Sequence, residues 1–292
     1  MKESEIKTVG IVGLGLIGGS LAKALSERTA YRTIGYARRQ SVCDEAIRDA
    51  AVSEAFTDAD IVAERSDILV LALPPEANAE IFEGIAHRLK PGTFVTDVAS
   101  TKSVMVPRIT AALPEGVRFV SMHPMAGSER GGYGQAKSDL FVDTPWLVLY
   151  DVKAGEEHSF AEELHCMGAA VGAKPAYVSP ECHDAYMARI SHLPHIVAAA
   201  VTMAATQSGD ECEVLQLSAG GFRDVTRIAG GNPSMWRDIL FGNPAADEAI
   251  AEVMKELETM RACLNADDGG AALESYLRKA KEIRDALVVG KD

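Results

Sequence analysis

Gly13-Leu14-Gly15-Leu16-Ile17-Gly18 is the stretch that decides the fold of this chain. An apolar run at residues 9–12 leads into it and a helical pattern at residues 16–25 leads out. The glycines therefore stand at a strand-to-helix turn. There, Gly13, Gly15 and Gly18 permit a tight turn and a close approach of backbone to a pyrophosphate. The helix N-terminus at Leu16 and Ile17 offers N–H donors and a partial positive charge to the same anion. The expectation is a dinucleotide-binding turn.

Working outward, a second strand is expected at residues 33–36. A carboxylate at its end would grip the ribose hydroxyls of NAD. The chain instead reads Gly35-Tyr36-Ala37-Arg38-Arg39-Gln40. Unless they are solvated surface residues, Arg38 and Arg39 suit a 2′-phosphate, so the cofactor expected is NADP or NAD, with NADP favoured. Further strands are expected at residues 68–72, 94–97, 119–122, 146–150 and 176–178, with Pro74-Pro75 opening a helix. Strands alternating with helices imply a mostly parallel sheet covered on both faces.

The pattern changes at Ser179-Pro180, a good helix start. From there the periodicity is almost wholly helical. Leu193–Ala205 is small and apolar nearly all round, which predicts a helix buried on several sides and a candidate dimer core. Ala245–Leu264 and residues 271–287 read as amphipathic closing helices around a loop at 267–270. The expected division is an α/β dinucleotide-binding domain at 1–178 and an all-α substrate and dimerisation domain at 179–292.

Across 292 residues, 47% are hydrophobic and 24% charged, the balance of an ordinary globular protein. The net charge of −13 with no basic run argues against nucleic acid as a partner. It also means that an anionic ligand needs its own local cations. None of the five cysteines is paired at metal or redox spacing, which points to a reducing compartment. No apolar run reaches the roughly 18 residues of a membrane helix, and the charged N-terminus lacks the core of a signal peptide. The expected location is the cytoplasm.

Polar chemistry concentrates in a few segments. His123-Pro124-Met125-Ala126-Gly127-Ser128-Glu129 begins where a strand should end, so its histidine can reach the nicotinamide end of a bound cofactor. Imidazole titrates near neutrality and can take a proton from a hydroxyl while hydride leaves the same carbon, which points to a dehydrogenase. The others are Asp97-Val98-Ala99-Ser100-Thr101-Lys102, His183-Asp184 with Ser191-His192-Leu193-Pro194-His195, and Gly220–Arg227 followed by Asn232-Pro233-Ser234-Met235-Trp236. Ser191 and His195 are four apart and would share a helical face. Pro194 cannot donate to the carbonyl of Ile190 and should kink the helix. Arg223 and Asp224 precede Arg227 by four and three residues, so Asp224 can brace Arg227 on a helix. His192 and His195 have no clear third ligand, so no metal is expected.

Together, in this order and spacing, these segments resemble the prephenate/arogenate dehydrogenase family of tyrosine biosynthesis, from the Gly13 turn to about Asn243. The resemblance implies a Rossmann domain joined to a helical dimerisation domain of the class related to 6-phosphogluconate dehydrogenase. It implies a homodimer and oxidative decarboxylation of prephenate to 4-hydroxyphenylpyruvate. His123 matches the family's catalytic histidine and Ser100 the serine that orients it, although Ser100 reads equally as a helix cap ahead of Lys102. Arg227 matches the arginine that binds a substrate carboxylate, with Asp224 and Glu129 as its partners. Ser191 and His195 match a pair near the substrate side chain, and Ser128 a position that is threonine in some relatives. Trp236 matches a tryptophan that reaches the partner subunit's site, though its bulk serves a core equally well. A fused chorismate mutase or a full regulatory domain, of the kind some relatives carry, is not expected in these 292 residues.

The nearest rival reaction is the same chemistry on arogenate, which carries an amino group where prephenate has a keto group. β-Hydroxyacid dehydrogenases of the wider class use a lysine in the helical domain, where this chain has histidine and arginine. A non-catalytic dinucleotide sensor would have no need of His123, Ser100 and Arg227 together.

Overall fold

The computed structural model describes residues 7–128, 130–150, 158–206 and 216–289. It falls into two compact units, Met1–Pro244 and Ala245–Asp292. In the first, a wholly parallel six-stranded sheet has the order β3-β2-β1-β4-β5-β6. Its strands are β1 (Thr8–Val12), β2 (Arg32–Tyr36), β3 (Glu54–Phe56), β4 (Ile68–Leu71), β5 (Phe94–Asp97) and β6 (Arg118–Phe119). This is the doubly wound order, in which the strand order reverses beside β1 and opens a crevice at the strand ends.

The period-two alternation of the strands sorts the core into two layers. On one face Val9, Ile11, Ile68 and Val70 meet Leu21 and Leu25 of α1 (Leu16–Arg28), Val42 of α2 (Gln40–Arg48), and Phe160 and Leu164 of α6 (His158–Ala170). On the other, Leu69, Leu71 and Val95 meet Val62 of α3 (Ala59–Arg65), Phe82 of α4 (Pro75–Ile85) and Ile109 of α5 (Met105–Ala112). Each such side chain contributes about 1.5–3 kcal/mol when fully buried.

The apolar run at 119–122 is not one strand. It breaks at Val120: β6 ends at Phe119 in the large sheet, and β7 (Ser121–Pro124) belongs to a second sheet of order β7-β8-β9. There β7 runs antiparallel to β8 (Pro145–Leu149), and β8 parallel to β9 (Lys174–Val178). Continuous hydrophobicity reports burial and carries no record of which ladder a residue joins, so the change of sheet was invisible to patterning.

Ser179 is the N-cap residue of α7 (Pro180–Met187), as its sequence suggests, but its hydroxyl bonds the Glu181 carboxylate instead of a backbone N–H. The expected kink before Pro194 is instead a wide π turn, Ala188–His192, that feeds α8 (Leu193–Ala205). A proline lacks the N–H that an α-turn would require, and the i→i+5 turn absorbs the mismatch. Only His195 and Ala198 of α8 are buried, and Met203 is 64% exposed, so the described residues do not supply the burial expected of this helix. The first unit continues through α9 (Gly220–Thr226) and α10 (Pro233–Phe241). The second consists of α11 (Ala245–Leu264) and α12 (Ala271–Val289). Among the described residues no helix is long and apolar enough to cross a membrane.

Candidate active site

The turn between β1 and α1 is built for close approach. Gly13 has φ +112°, and its N–H and that of Leu14 both donate to the Tyr36 carbonyl at 3.1 Å. A Cβ on Gly18 would stand 2.1 Å from the Gly13 carbonyl oxygen, whereas one on Gly15 would meet nothing within 4 Å. The cradle is thus packed behind and open in front, the shape a pyrophosphate needs at a helix N-terminus. Leu16 and Ile17 begin α1 there and are half-buried. Arg38 and Arg39 follow β2, are exposed, and make no ion pair with a described residue.

His123 sits on β7, paired with Leu147 of β8 and 8% exposed. Its Nδ1 lies 3.0 Å from Nε2 of His183 on α7, and Nδ1 of His183 lies 2.7 Å from Asp184 Oδ1. The Asp184 carboxylate accepts from the backbone N–H groups of Lys102 and Ser103, at 3.1 and 2.8 Å, and from the Ser103 hydroxyl at 2.5 Å. The Nε2 of His123 makes no hydrogen bond to a described residue. Burial, together with the Lys102 cation and the neighbouring His183 and His192, drives the His123 pKa well below its ordinary value, against the opposing pull of Asp184. Burial raises the Asp184 carboxyl, but bonds from His183, Ser103 and the Lys102 backbone outweigh it and hold the group at about 2.

Lys102 is neither on a helix nor on the surface. It is 5% exposed, and its ammonium donates to Asp97 Oδ2 at 2.5 Å and to the carbonyls of Ala99 and Met122 at 2.8 Å each. All three of its hydrogens are committed, and one of the bonds ties the end of β5 to β7 beside His123. Ser121 of β7 also donates to Asp97. Burial lowers the Lys102 pKa, and the Asp97 charge opposes the fall. Ser100 lies in the same loop, half-buried and without a hydrogen bond to a described residue. It caps no helix, because α5 begins at Met105 with Val104 at its N-cap.

Asn232 starts α10 by accepting from Met235 N–H at 3.1 Å, with Pro233 in the first turn, and this sets Trp236 one turn on. The indole stacks on His195 with centroids 3.6 Å apart and planes 10° apart. A Cβ on Gly231 would stand 2.5 Å from the indole nitrogen, so only glycine fits beneath it. The Nδ1 of His195 is buried without a hydrogen-bond partner, and burial lowers its pKa against a weaker raising influence from the Ile228 backbone. His192, bonded to Asn243 at 3.1 Å, is lowered by burial to about 4.

Arg227 does not share a helix with Asp224. The α9 helix ends at Thr226, and Arg227 opens a 3₁₀ turn, Arg227–Gly230. No ion pair joins the two residues. Both side chains extend into solvent, where an ion pair gains little. Both are exposed and both line a cavity of about 440 Å³ with Arg189, Leu193, Pro194 and Val197. His123 does not line this cavity. Ser191 falls inside the π turn while His195 lies on α8, so their four-residue spacing is not that of one α-helical face. Ser128 is exposed, and its hydroxyl accepts from the Arg130 N–H. Glu129 lies outside the described residues. Sequence reasoning assigned no role to Lys102, His183, Asp184 or Asn243. The His183-Asp184 dipeptide was the available signal, but nothing in spacing ties it to a histidine 60 residues away.

The turn, the sheet order and a buried histidine with one bare nitrogen define a dinucleotide-binding oxidoreductase. The family descriptions "Prephenate dehydrogenase, nucleotide-binding domain" and "Prephenate dehydrogenase, dimerization domain" match residues 21–174 and 179–287. A prephenate dehydrogenase of Bacillus subtilis is 32% identical over 96% of this chain and 76% of its own length. A prephenate dehydrogenase structure from Aquifex aeolicus, in complex with hydroxyphenyl propionate and NAD+, superposes with a TM-score of 0.87 at 29% identity, covering 98% of this chain and all of its own. An arogenate dehydrogenase structure from Synechocystis gives 0.82 at 30% identity over 96% of this chain and 99% of its own. The chain belongs to the prephenate dehydrogenase family.

Proposed function

We propose that the protein oxidatively decarboxylates prephenate to 4-hydroxyphenylpyruvate, with His123 as proton acceptor. The observation that carries this reading is the asymmetry of His123, with Nδ1 committed to His183 and Nε2 left bare. A lowered pKa keeps the imidazole unprotonated at neutral pH, ready to accept. The 4-hydroxyl O–H bond breaks and an N–H bond forms at Nε2. A dinucleotide held at the Gly13–Gly18 cradle supplies the acceptor for the hydride leaving the same carbon. Loss of the ring carboxylate as CO2 then aromatises the ring, and His123 returns its proton to the product oxygen. Ser100, with an uncommitted hydroxyl, orients the substrate hydroxyl, and Arg227 binds a carboxylate of the substrate. Ser128, Glu129, Asp224, Ser191, His195 and Trp236 complete the substrate-binding set. Arogenate remains the second reading, because family structures include an arogenate dehydrogenase.

A preference for NADP is supported by Arg38 and Arg39, which are exposed and make no ion pair with a described residue. The dinucleotide-binding domain is placed at 1–178 and the substrate and dimerisation domain at 179–292, in keeping with the two family matches. A homodimer is supported by the exposed apolar side of α8. The free cysteines Cys43, Cys166, Cys182 and Cys263 are in keeping with a reducing cytoplasm. The test mixes purified protein with prephenate or arogenate and with NAD or NADP, following absorbance of the reduced cofactor. Turnover is expected, fastest with prephenate and NADP. No signal in any combination overturns the reading, and sedimentation as a monomer at micromolar concentration overturns the dimer.

A further inference from the structure

We infer that His183 and Asp184 are positioning residues that fix which nitrogen of His123 is bare. The geometry is a continuous chain: Asp184 Oδ1 to His183 Nδ1 at 2.7 Å, then His183 Nε2 to His123 Nδ1 at 3.0 Å. An ionised carboxylate only accepts, so His183 Nδ1 must donate to it. Neutral His183 then presents a lone pair at Nε2, and that lone pair requires a proton on His123 Nδ1. The lone pair of His123 is thereby confined to Nε2, the nitrogen with no partner among the described residues.

Asp184 is held rigidly enough to give this order. Its carboxylate takes three donors from the loop after β5, namely the Lys102 and Ser103 N–H groups and the Ser103 hydroxyl. Its own carbonyl accepts from Asn243 Nδ2 at 2.8 Å. His183 is fully buried and cannot turn to another partner in water. The charged and titratable groups facing His123 are Lys102 in the loop after β5, His183 and Asp184 on α7, and His192 in the π turn. Of these, only His183 touches its ring through a hydrogen bond. When His123 accepts a proton at Nε2, the bond from Nδ1–H to His183 becomes charge-assisted and strengthens, so the pair supports the cation as it forms. The proton stays on His123, and no bond in His183 or Asp184 breaks.

This inference rests on His123 as proton acceptor in the proposed reaction, so its test has two independent readouts. In the first, protein labelled with ¹⁵N-histidine is examined by NMR near neutral pH. The wild-type protein should show His123 protonated at Nδ1 and bare at Nε2. His183→Leu should abolish that preference, and Asp184→Asn should weaken it. A wild-type His123 with its proton on Nε2, or one whose tautomer is unchanged in His183→Leu, overturns the inference whether or not the protein turns over.

The second readout is kinetic. His183→Leu should lower kcat by roughly 10²- to 10⁴-fold, the upper end being the loss for a base left in the wrong tautomer, with KM changed by less than about threefold. The acid limb of the kcat/KM profile should move, because the group on Nδ1 that helps to set the basicity of the imidazole is gone. His183→Gln keeps an acceptor near the position of Nε2 and should recover most of the lost rate. Dinucleotide affinity and thermal midpoint, measured alongside, identify a variant that is merely misfolded. Equal losses in the Leu and Gln variants with an unmoved pH profile overturn the inference. Absence of wild-type turnover counts against the proposed reaction and leaves the NMR result to decide the tautomer.

Discussion

The surroundings of His123 and those of Arg227 are built on opposite plans. Around His123, each polar group with a role is buried and bonded: Lys102 spends all three hydrogens, Asp184 takes four donors, and His183 uses both nitrogens. Around Arg227 the charged side chains are exposed, Asp224 stands without an ion pair to it, and the cavity wall is mostly apolar. The difference separates two tasks. Chemistry needs a group whose protonation and direction are fixed in advance, which a closed network supplies. Capture of an anion by a protein of net charge −13 needs a cation left unspent, which an open surface supplies.

The contrast breaks most sharply at His123 itself. His123→Asn should lower kcat by about 10²–10⁴-fold with KM nearly unchanged, because a general base is lost and binding is not. If KM rose as much as kcat fell, His123 would belong to the capture side. In the wild-type enzyme, the depressed pKa of His123 places the acid limb of kcat/KM below pH 6.5, so a rate profile falling at or above 6.5 would contradict its burial. At Arg227 the expected loss is smaller and of the other kind. Arg227→Ala removes a charge-assisted bond of about 1.5–3 kcal/mol, which should raise KM by about 10- to 100-fold and leave kcat within a few-fold. A pure kcat defect there would erase the distinction.

A third cationic region sharpens the point. Arg38→Ala combined with Arg39→Ala should raise KM for NADP by about tenfold and spare NAD, measured by parallel titrations of the two cofactors. Equal changes for both would remove the case for a 2′-phosphate. The smallest effect concerns stability. His192, held at about 4 against an ordinary 6.5, contributes stability that is present above pH 6.5 and lost as pH falls through 4. Asp184, held at about 2 against 3.8, contributes stability present above 3.8 and lost as pH falls through 2. Thermal midpoints should therefore decline in two stages on acidification. His192→Gln should lessen the upper stage, to which the lowered His123 and His195 also contribute, and a single stage in the wild-type protein would contradict the closed network.

The first sheet was largely legible, because buried parallel strands and the glycine turn leave strong local marks. The strand β3 escaped notice since three residues are too few to show a period. The break at Val120 escaped because two ladders share one hydrophobic run. The individual candidates His123, Ser100 and Arg227 could be named, but the network that fixes His123 could not. Lys102 has the composition of a surface residue, and only the fold reveals that three acceptors surround it. The expected bracing of Arg227 by Asp224 is absent for a related reason: the spacing carries no record that both side chains are exposed to solvent, where an ion pair gains little.

The single-residue change of sheet at Val120 has a further consequence. Because β7 draws its ladder from β8, the backbone under His123 meets β5 through the Lys102 and Ser121 side chains and not through a shared ladder. Substitutions that remodel nucleotide preference near β2 can accumulate without disturbing the histidine's perch. A lineage can in this way exchange one redox currency for another while its proton chemistry stays as it was.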